Sequence, residues 1–95
     1  MDKKTEYFKA IAAIAMELDA KGVPFTINNA YEGYQLRFPW CRGDVVCHAG
    51  ITGAAKGRVE TYKFPWDNGD VTLMSPKIAA ERISDYYAAL YFIND

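Results

Sequence analysis

Cys41, Cys47 and His48 are the residues that could hold a metal ion or act as a nucleophile and its base. A structural zinc site needs four Cys or His ligands at short paired spacings, and three residues across one hairpin do not supply them. Neighbouring side chains of a strand also point to opposite faces, which separates Cys47 from His48. We therefore expect no metal and no other cofactor.

A Cys–His catalytic pair is the next chemistry to consider. Cys41 and His48 could meet across a turn, but the spacing places no acid to orient the histidine. Asp44 and Asp70 occupy equivalent turn positions, where capping of backbone N–H groups accounts for them without acid–base catalysis. Because no catalytic constellation is assembled, the sequence predicts that the protein is not an enzyme.

A glycine-rich segment with two basic residues, residues 50–58, superficially resembles a phosphate-binding loop. It lacks the Gly-x-x-x-x-Gly-Lys-Ser/Thr spacing and does not open a helix. We interpret the segment as the link between two hairpins. The alternative is a contact loop that carries Lys56 and Arg58 to a partner.

The most specific feature of the sequence is a repeated segment. Residues 37–45 read Arg-Phe-Pro-Trp-Cys-Arg-Gly-Asp-Val, and residues 63–71 read Lys-Phe-Pro-Trp-Asp-Asn-Gly-Asp-Val, with six of nine positions identical. Each copy joins a strand that ends in Phe to one that begins with Asp-Val, so each copy is predicted to connect a hairpin. In the second copy, Asp67-Asn68-Gly69 suits a type I turn with a left-handed glycine.

The tryptophans of the repeat, Trp40 and Trp66, allow two interpretations. In one, each indole folds back over its own hairpin, and the glycine and aspartate only satisfy the turn geometry. In the other, the indoles lie side by side at one end of the sheet beside Arg37 and Lys63, a composition typical of protein-interface hot spots. Exposed tryptophan also stacks on nucleobases, so these residues and segment 50–58 could instead bind nucleic acid.

The hydropathy pattern marks the elements that position these residues. Apolar residues recur at helical spacing from Thr5 to Lys21, and Gly22 suits the C-terminal cap. A second helix is predicted from Ser75, a good N-cap, to about Ile93.

Between the two helices the apolar period changes to two, which indicates strands. The predicted strands are residues 34–38, 45–48, 59–64 and 71–74, with a fifth at 24–27. Asn28-Asn29 suits the turn that follows residues 24–27, because Asn tolerates left-handed backbone. The predicted fold class is α+β: a helix, a four- to five-stranded antiparallel meander and a helix, in a single domain over residues 1–95. Burial favours a two-layer sandwich with both helices on one sheet face.

The composition disfavours several function classes. The 95 residues are 51% hydrophobic and 15% aromatic, which is typical of a folded domain rather than a disordered chain. Eleven basic and twelve acidic residues give a net charge of −1, so a nucleic-acid partner is disfavoured. No apolar run approaches the ~18 residues of a membrane span, no signal peptide opens the chain, and two cysteines favour a reducing compartment. A cytoplasmic location without membrane association is expected.

Two resemblances bear on function. The order of helix, antiparallel strands and helix resembles the double-stranded-RNA-binding domain, but the second helix opens Ser75-Pro76-Lys77, with one lysine where that family carries a basic cluster. The stretch from Gly33 to Ile83, with Gly43-Asp44-Val45-Val46-Cys47-His48 and the second Phe-Pro-Trp-x-x-Gly-Asp-Val, is similar to small uncharacterised phage and prophage proteins of Gram-positive bacteria. This similarity implies a phage-encoded accessory protein in the host cytoplasm that binds and blocks a host factor, as anti-CRISPR proteins do.

The leading functional prediction is a non-enzymatic interaction module that binds and modulates a host macromolecule, either a protein or a ribonucleoprotein. The candidate partner-binding residues are Arg37, Trp40, Lys56, Arg58, Lys63 and Trp66. The alternative is a nucleic-acid-binding domain with the topology of a double-stranded-RNA-binding domain. Tyr87, Tyr91 and Phe92 together exceed what one sheet face covers, so a homodimer through the second helix is a further alternative.

Overall fold

The computed structural model describes residues 3–48 and 57–93, and it confirms the predicted α+β fold class. Two helices, α1 (Lys3–Ala20) and α2 (Pro76–Ile93), flank the strands in sequence. The described strands are β1 (Thr26–Ala30), β2 (Gly33–Arg37), β3 (Asp44–Cys47), β4 (Val59–Tyr62) and β5 (Val71–Met74). They form one antiparallel sheet in the order β1-β2-β3-β4-β5, which is the predicted meander with its fifth strand present.

The chain leaves α1 through a left-handed glycine cap. Gly22 has φ of +71°, its N–H donates to the Asp19 carbonyl at 3.1 Å, and the Val23 N–H donates to the Leu18 carbonyl at 2.9 Å. Leu18 and Val23 are both buried, so the cap also packs the end of the helix against the core.

The second helix begins as its sequence predicts. The Ser75 Oγ accepts a hydrogen bond from the Ile78 N–H at 3.3 Å, and Pro76 occupies the first helical position. Neither described helix is both long enough and apolar enough to cross a lipid bilayer.

Alternation along the strands divides the sheet into two faces. Leu36 is the cross-strand partner of Val45, which is also paired with Thr61, and all three side chains are fully buried on one face. Their neighbours in sequence, such as Arg37 and Tyr62, are exposed on the other face. Residues of both helices share the core with the buried face, among them Ile11, Ile14, Leu18, Ala79, Ala80 and Ile83. The protein is therefore a two-layer sandwich with both helices on one side of the sheet.

The turn between β1 and β2 lies later than predicted. Asn28-Asn29 belong to β1, and the loop residues are Tyr31 and Glu32, with φ of 54° and 62°. Two consecutive left-handed residues make a type I′ turn, whose twist matches that of the strands it joins. The pairing of Ala30 with Gly33 leaves the two residues between them as the loop, so the strand register overrides the local preference of Asn. Gly33 itself lies against β3, where a side chain would overlap the Cys47 carbonyl.

Candidate functional site

The two copies of the repeat connect hairpins, as predicted, and they meet inside the molecule. The first copy joins β2 to β3, and the second joins β4 to β5. Phe38 and Phe64, which occupy the same position in the two copies, are both buried, with ring centroids 5.8 Å apart at an interplanar angle of 66°. The duplication therefore places matching aromatic side chains edge to face in the core.

The two indoles fold onto α2, and each is half-buried. The ring centroid of Trp40 lies 4.9 Å from that of Tyr87. The Trp66 ring stacks on Phe64 at 4.6 Å and 5°. Tyr86 lies between the indoles, 5.8 Å from Trp40 and 6.2 Å from Trp66. We use the name aromatic cluster for Phe38, Trp40, Phe64, Trp66, Tyr86, Tyr87 and Tyr91.

Both indole N–H groups are satisfied within the chain. Trp40 Nε1 donates to the Pro24 carbonyl at 2.9 Å, and Trp66 Nε1 donates to Thr61 Oγ1 at 2.9 Å. Each indole also contacts the phenylalanine of its own copy. Each indole therefore packs on the phenylalanine of its own copy and also on α2, which the hairpin interpretation does not include. The part of each indole that remains exposed can offer ring surface rather than a free donor.

A buried carboxylate supports the second tryptophan. Asp67 is 4% exposed, and it accepts hydrogen bonds from Thr61 Oγ1 at 2.8 Å and from the Phe64 N–H at 3.1 Å. Because Thr61 Oγ1 also accepts from Trp66 Nε1, the carboxylate, hydroxyl and indole form one chain of hydrogen bonds. Cys41 stands at the corresponding position of the first copy, so this network belongs to the second copy alone.

The same copy contains a 3₁₀ turn in addition to the predicted left-handed glycine. A short 3₁₀ turn, Pro65–Asp67, comes first, and Asn68 and Gly69 follow with φ of 51° and 83°. The left-handed glycine is the predicted one. The 3₁₀ turn precedes it because the Asp67 carboxylate binds the Phe64 N–H and closes the turn.

The predicted basic residues Arg37 and Lys63 lie on the other side of the sheet. Arg37 faces away from the helices, and Lys63 Nζ lies 5.4 Å from the ring centroid of Tyr62, which also faces away from them. Both cations lower the pKa of Asp44, but burial has the largest effect and raises that pKa above its ordinary value. The structure therefore does not bring these two cations together with the indoles.

The remaining predicted residues separate as well. Arg58 is exposed just before β4, whereas residues 50–56 of the glycine-rich segment, Lys56 among them, lie outside the described residues. Asp70 Oδ1 accepts from the Val71 N–H at 2.8 Å, as expected for a turn cap. Asp44 differs from that expectation: it begins β3, and its carboxylate accepts from Gln35 Nε2 across the sheet at 2.6 Å.

The thiols and the histidine are held apart. Cys41 precedes β3 and His48 follows it, and a four-residue strand is about 13 Å long. Cys47 is fully buried, its Sγ donates to the Arg58 carbonyl at 3.4 Å, and burial raises its pKa to about 11. The described residues contain no group of three or more His, Cys, Asp or Glu side chains placed to hold a metal ion.

A groove beside α2 joins Tyr87, Tyr91 and Phe92, which the sequence marks as a surplus of aromatic residues, to residues such as Ser84 that it does not mark. It has a volume of about 570 Å³ and lies between the end of α1 and the second half of α2. Tyr87 and Tyr91 line it with ring centroids 4.5 Å apart, and the Ser84 Oγ at this site is buried without a hydrogen-bond partner among the described residues. The residues lining this α2 groove are Lys21, Val23, Ser84, Asp85, Tyr87, Ala88, Tyr91 and Phe92. The sequence signals for this groove are the surplus of aromatic residues at Tyr87, Tyr91 and Phe92 and a serine next to Ile83, at the margin of the apolar stripe of the helix.

Comparisons with protein-family models, with curated proteins and with solved structures find no match. Chemically, the site offers aromatic ring faces, an apolar groove and one unsatisfied hydroxyl, with Lys21 and Asp85 as its charged lining residues.

Proposed function

We propose that the protein is a non-enzymatic interaction module that binds a protein partner through the α2 groove and the adjoining aromatic cluster. The observation that carries the proposal is a continuous line of rings. Trp40 contacts Tyr87 at 4.9 Å, and Tyr87 contacts Tyr91 at 4.5 Å, so the repeat leads directly into the groove.

The composition of this surface favours a protein as the partner. Tyrosine and tryptophan are enriched at interface hot spots because they bury large areas at a low cost in conformational entropy. Phe92 is 79% exposed and Tyr91 is 54% exposed, so apolar area remains for a partner to cover. We further propose, on the resemblance of residues 33–83 to phage accessory proteins, that the target is a host protein that the binding modulates.

Nucleic acid remains the competing class of partner. That alternative uses the indoles together with Arg37 and Lys63, which lie on the sheet face turned away from α2. The same two cations act on the carboxylate of Asp44, which offsets part of their charge. With a net charge of −1, the chain also supplies little long-range attraction for phosphates.

Capture from a lysate of the source cells tests the proposal. We expect the immobilised protein to retain a discrete protein through about 0.5 M salt and nuclease treatment, because burial of apolar surface is only weakly sensitive to salt. Tyr91→Ala should lower the amount retained at least about tenfold. Tyr31→Ala is the matched control, since Tyr31 is 76% exposed and lies in the β1–β2 turn, outside the site. A ligand released by nuclease, or one retained equally by both variants, would contradict the proposal.

A further inference from the structure

We infer that α2 carries a second, self-complementary surface through which two copies of this chain associate as an antiparallel helix pair. The surface is the side of α2 turned away from the core. Its residues are all exposed and are Ile78, Arg82, Asp85, Ala89 and Phe92, here called the outer stripe. This interface overlaps the proposed partner site at two of its five residues, because Asp85 and Phe92 also line the groove, whereas Ile78, Arg82 and Ala89 lie outside it.

The spacing of the outer stripe is that of a helix-pairing seam. Successive members are separated by four, three, four and three residues, which is the alternation of the core positions in a coiled coil. The stripe runs almost the full length of the 18-residue helix. Core residues of the same helix, such as Ala79 and Ile83, lie on the opposite side, so pairing through the stripe leaves the fold unchanged.

One antiparallel register matches every layer of this seam. When Arg82 faces Asp85 of the second copy, Ile78 faces the second copy's Ala89, and Phe92 faces the N-cap Ser75 of the second copy. Two layers then pair a large apolar side chain with a small one. The two-fold axis repeats each contact, so the pair has two central layers, and each of them places Arg82 of one copy opposite Asp85 of the other.

Charge selects this arrangement over the parallel one. A parallel pair would place Arg82 against Arg82 and Asp85 against Asp85, which is repulsive in both layers. In the single chain neither side chain forms an ion pair with another described residue: Arg82 lies 6.0 Å from the ring of Trp66, and the ion pairs present are Lys9–Glu6 and Lys21–Glu17. Within the described residues neither charge is therefore compensated by an opposite charge.

Exposure along the stripe provides the driving force. Phe92 is 79% exposed and Ile78 is 44% exposed, and each would be covered in the pair. A single helix per copy makes an interface smaller than the standard size of a stable complex, so we expect association in the range of about 10–100 μM.

Charge reversal tests both the association and its register. Sedimentation equilibrium of the full chain between about 5 and 500 μM should show a monomer–dimer equilibrium. Arg82→Glu alone places two carboxylates opposite each other in each central layer, and Asp85→Arg alone places two guanidinium groups there. Each single reversal should therefore weaken association at least about tenfold. An equimolar mixture of the two single variants should associate again, because both central layers then pair opposite charges. The double variant R82E/D85R should associate like the original protein.

The equimolar mixture of the two single variants separates a loss of association from a loss of folding, because misfolded variants would not associate again when they are mixed. Both substitutions are at exposed positions, and circular dichroism checks that each variant is helical before mixing. A chain that is monomeric at about 500 μM would overturn the inference. So would a dimer that neither single reversal weakens, or a mixture that fails to restore association. Arg82 does not line the groove and Tyr91 does not belong to the outer stripe, so Arg82→Glu tests the dimer and Tyr91→Ala tests partner capture separately. Failure of the dimer and failure of the proposed function therefore remain distinguishable.

Discussion

The ring of Phe64 lies directly against the backbone of Gly43: a Cβ built on Gly43 would stand 2.5 Å from Phe64 Cζ. The equivalent glycine of the second copy, Gly69, has no atom near its own built Cβ, but its φ is +83°. The glycine of the repeat is therefore required in both copies, but for a different physical reason in each. Gly43 provides room for a ring of the other copy, and Gly69 provides a backbone conformation that L side chains rarely adopt.

Gly43→Ala should lower the free energy of unfolding by about 1–3 kcal/mol, because the Phe64 ring has to move from its place in the core. Phe64→Leu replaces the ring with a smaller side chain and should relieve that overlap. The double variant G43A/F64L should therefore lose less free energy of unfolding than the sum of the two single losses. Urea denaturation of the four proteins measures this coupling. Strict additivity would contradict the contact.

The second-copy glycine supplies the contrasting control. Gly69→Ala should cost about 1 kcal/mol through backbone strain, and Gly69→Asn should cost less because Asn tolerates the left-handed region. Equal losses for the two substitutions would show that the conformation at Gly69 is not the cause.

Thr61→Val should cost about 2–3 kcal/mol of stability although it preserves the shape of the side chain. It removes the acceptor of Trp66 Nε1 and one donor to the buried Asp67 carboxylate, and both groups would be left short of a partner. Thr72→Val, at the half-buried cross-strand neighbour of Thr61, should change stability by no more than about 0.5 kcal/mol. Thermal melts followed by tryptophan fluorescence compare the two. Similar losses would mean that the hydrogen-bond chain contributes little.

Local signals in the sequence predict most of the fold. The apolar period and the caps at Gly22 and Ser75 predict both helices to within two residues of their bounds. The β1–β2 turn is not predicted correctly, since the pairing of β1 with β2 continues past Asn28 and Asn29 as far as Ala30 and Gly33. The hydropathy period of one segment does not report which residues of another strand that segment will pair with.

The candidate functional site is harder to predict than the fold, because it too depends on contacts between residues that are distant in the sequence. The repeat is visible in the sequence, but the different roles of Asp67 and Cys41 at one repeated position depend on whether Thr61 stands beside them. The α2 groove joins Val23 to Tyr91, which are far apart in the chain, so no motif marks it.

Asp44 should make stability depend on pH in a definite direction. Burial raises the pKa of this carboxyl above 3.8, so the folded state holds the proton more tightly than the unfolded state. The resulting stability is present at low pH and is lost as the pH rises through the raised pKa. Asp44→Asn cannot ionise and keeps an acceptor for Gln35, so its stability relative to the original protein should increase from about pH 3 to pH 7.

Urea denaturation at the two pH values measures this difference. Asp70→Asn, at the equivalent and exposed position of the second copy, is the control for the loss of one charge. If the stability difference between Asp44→Asn and the original protein does not change with pH, or changes in the opposite direction, the assignment is wrong.

Ser84→Ala should stabilise the free protein by about 0.5–1 kcal/mol. The substitution removes a buried hydroxyl that has no partner in the described chain and places a better helix former in α2. The reverse change at an exposed position of the same helix, Ala89→Ser, measures the contribution of helix propensity. The same Ser84→Ala variant should bind the captured protein more weakly if that partner reaches the hydroxyl. A loss of stability would show that the hydroxyl is satisfied in the folded protein.

Photo-crosslinking from the α2 groove tests the central claim most directly. A benzophenone amino acid is placed at position 91 in one sample and at position 31 in another, both replacing exposed tyrosines, and each protein is irradiated in its source cells. We predict one discrete adduct with another protein from position 91, resistant to nuclease and absent from position 31. Adducts to nucleic acid, or the same adducts from both positions, would contradict the assignment of the groove as a protein-binding site.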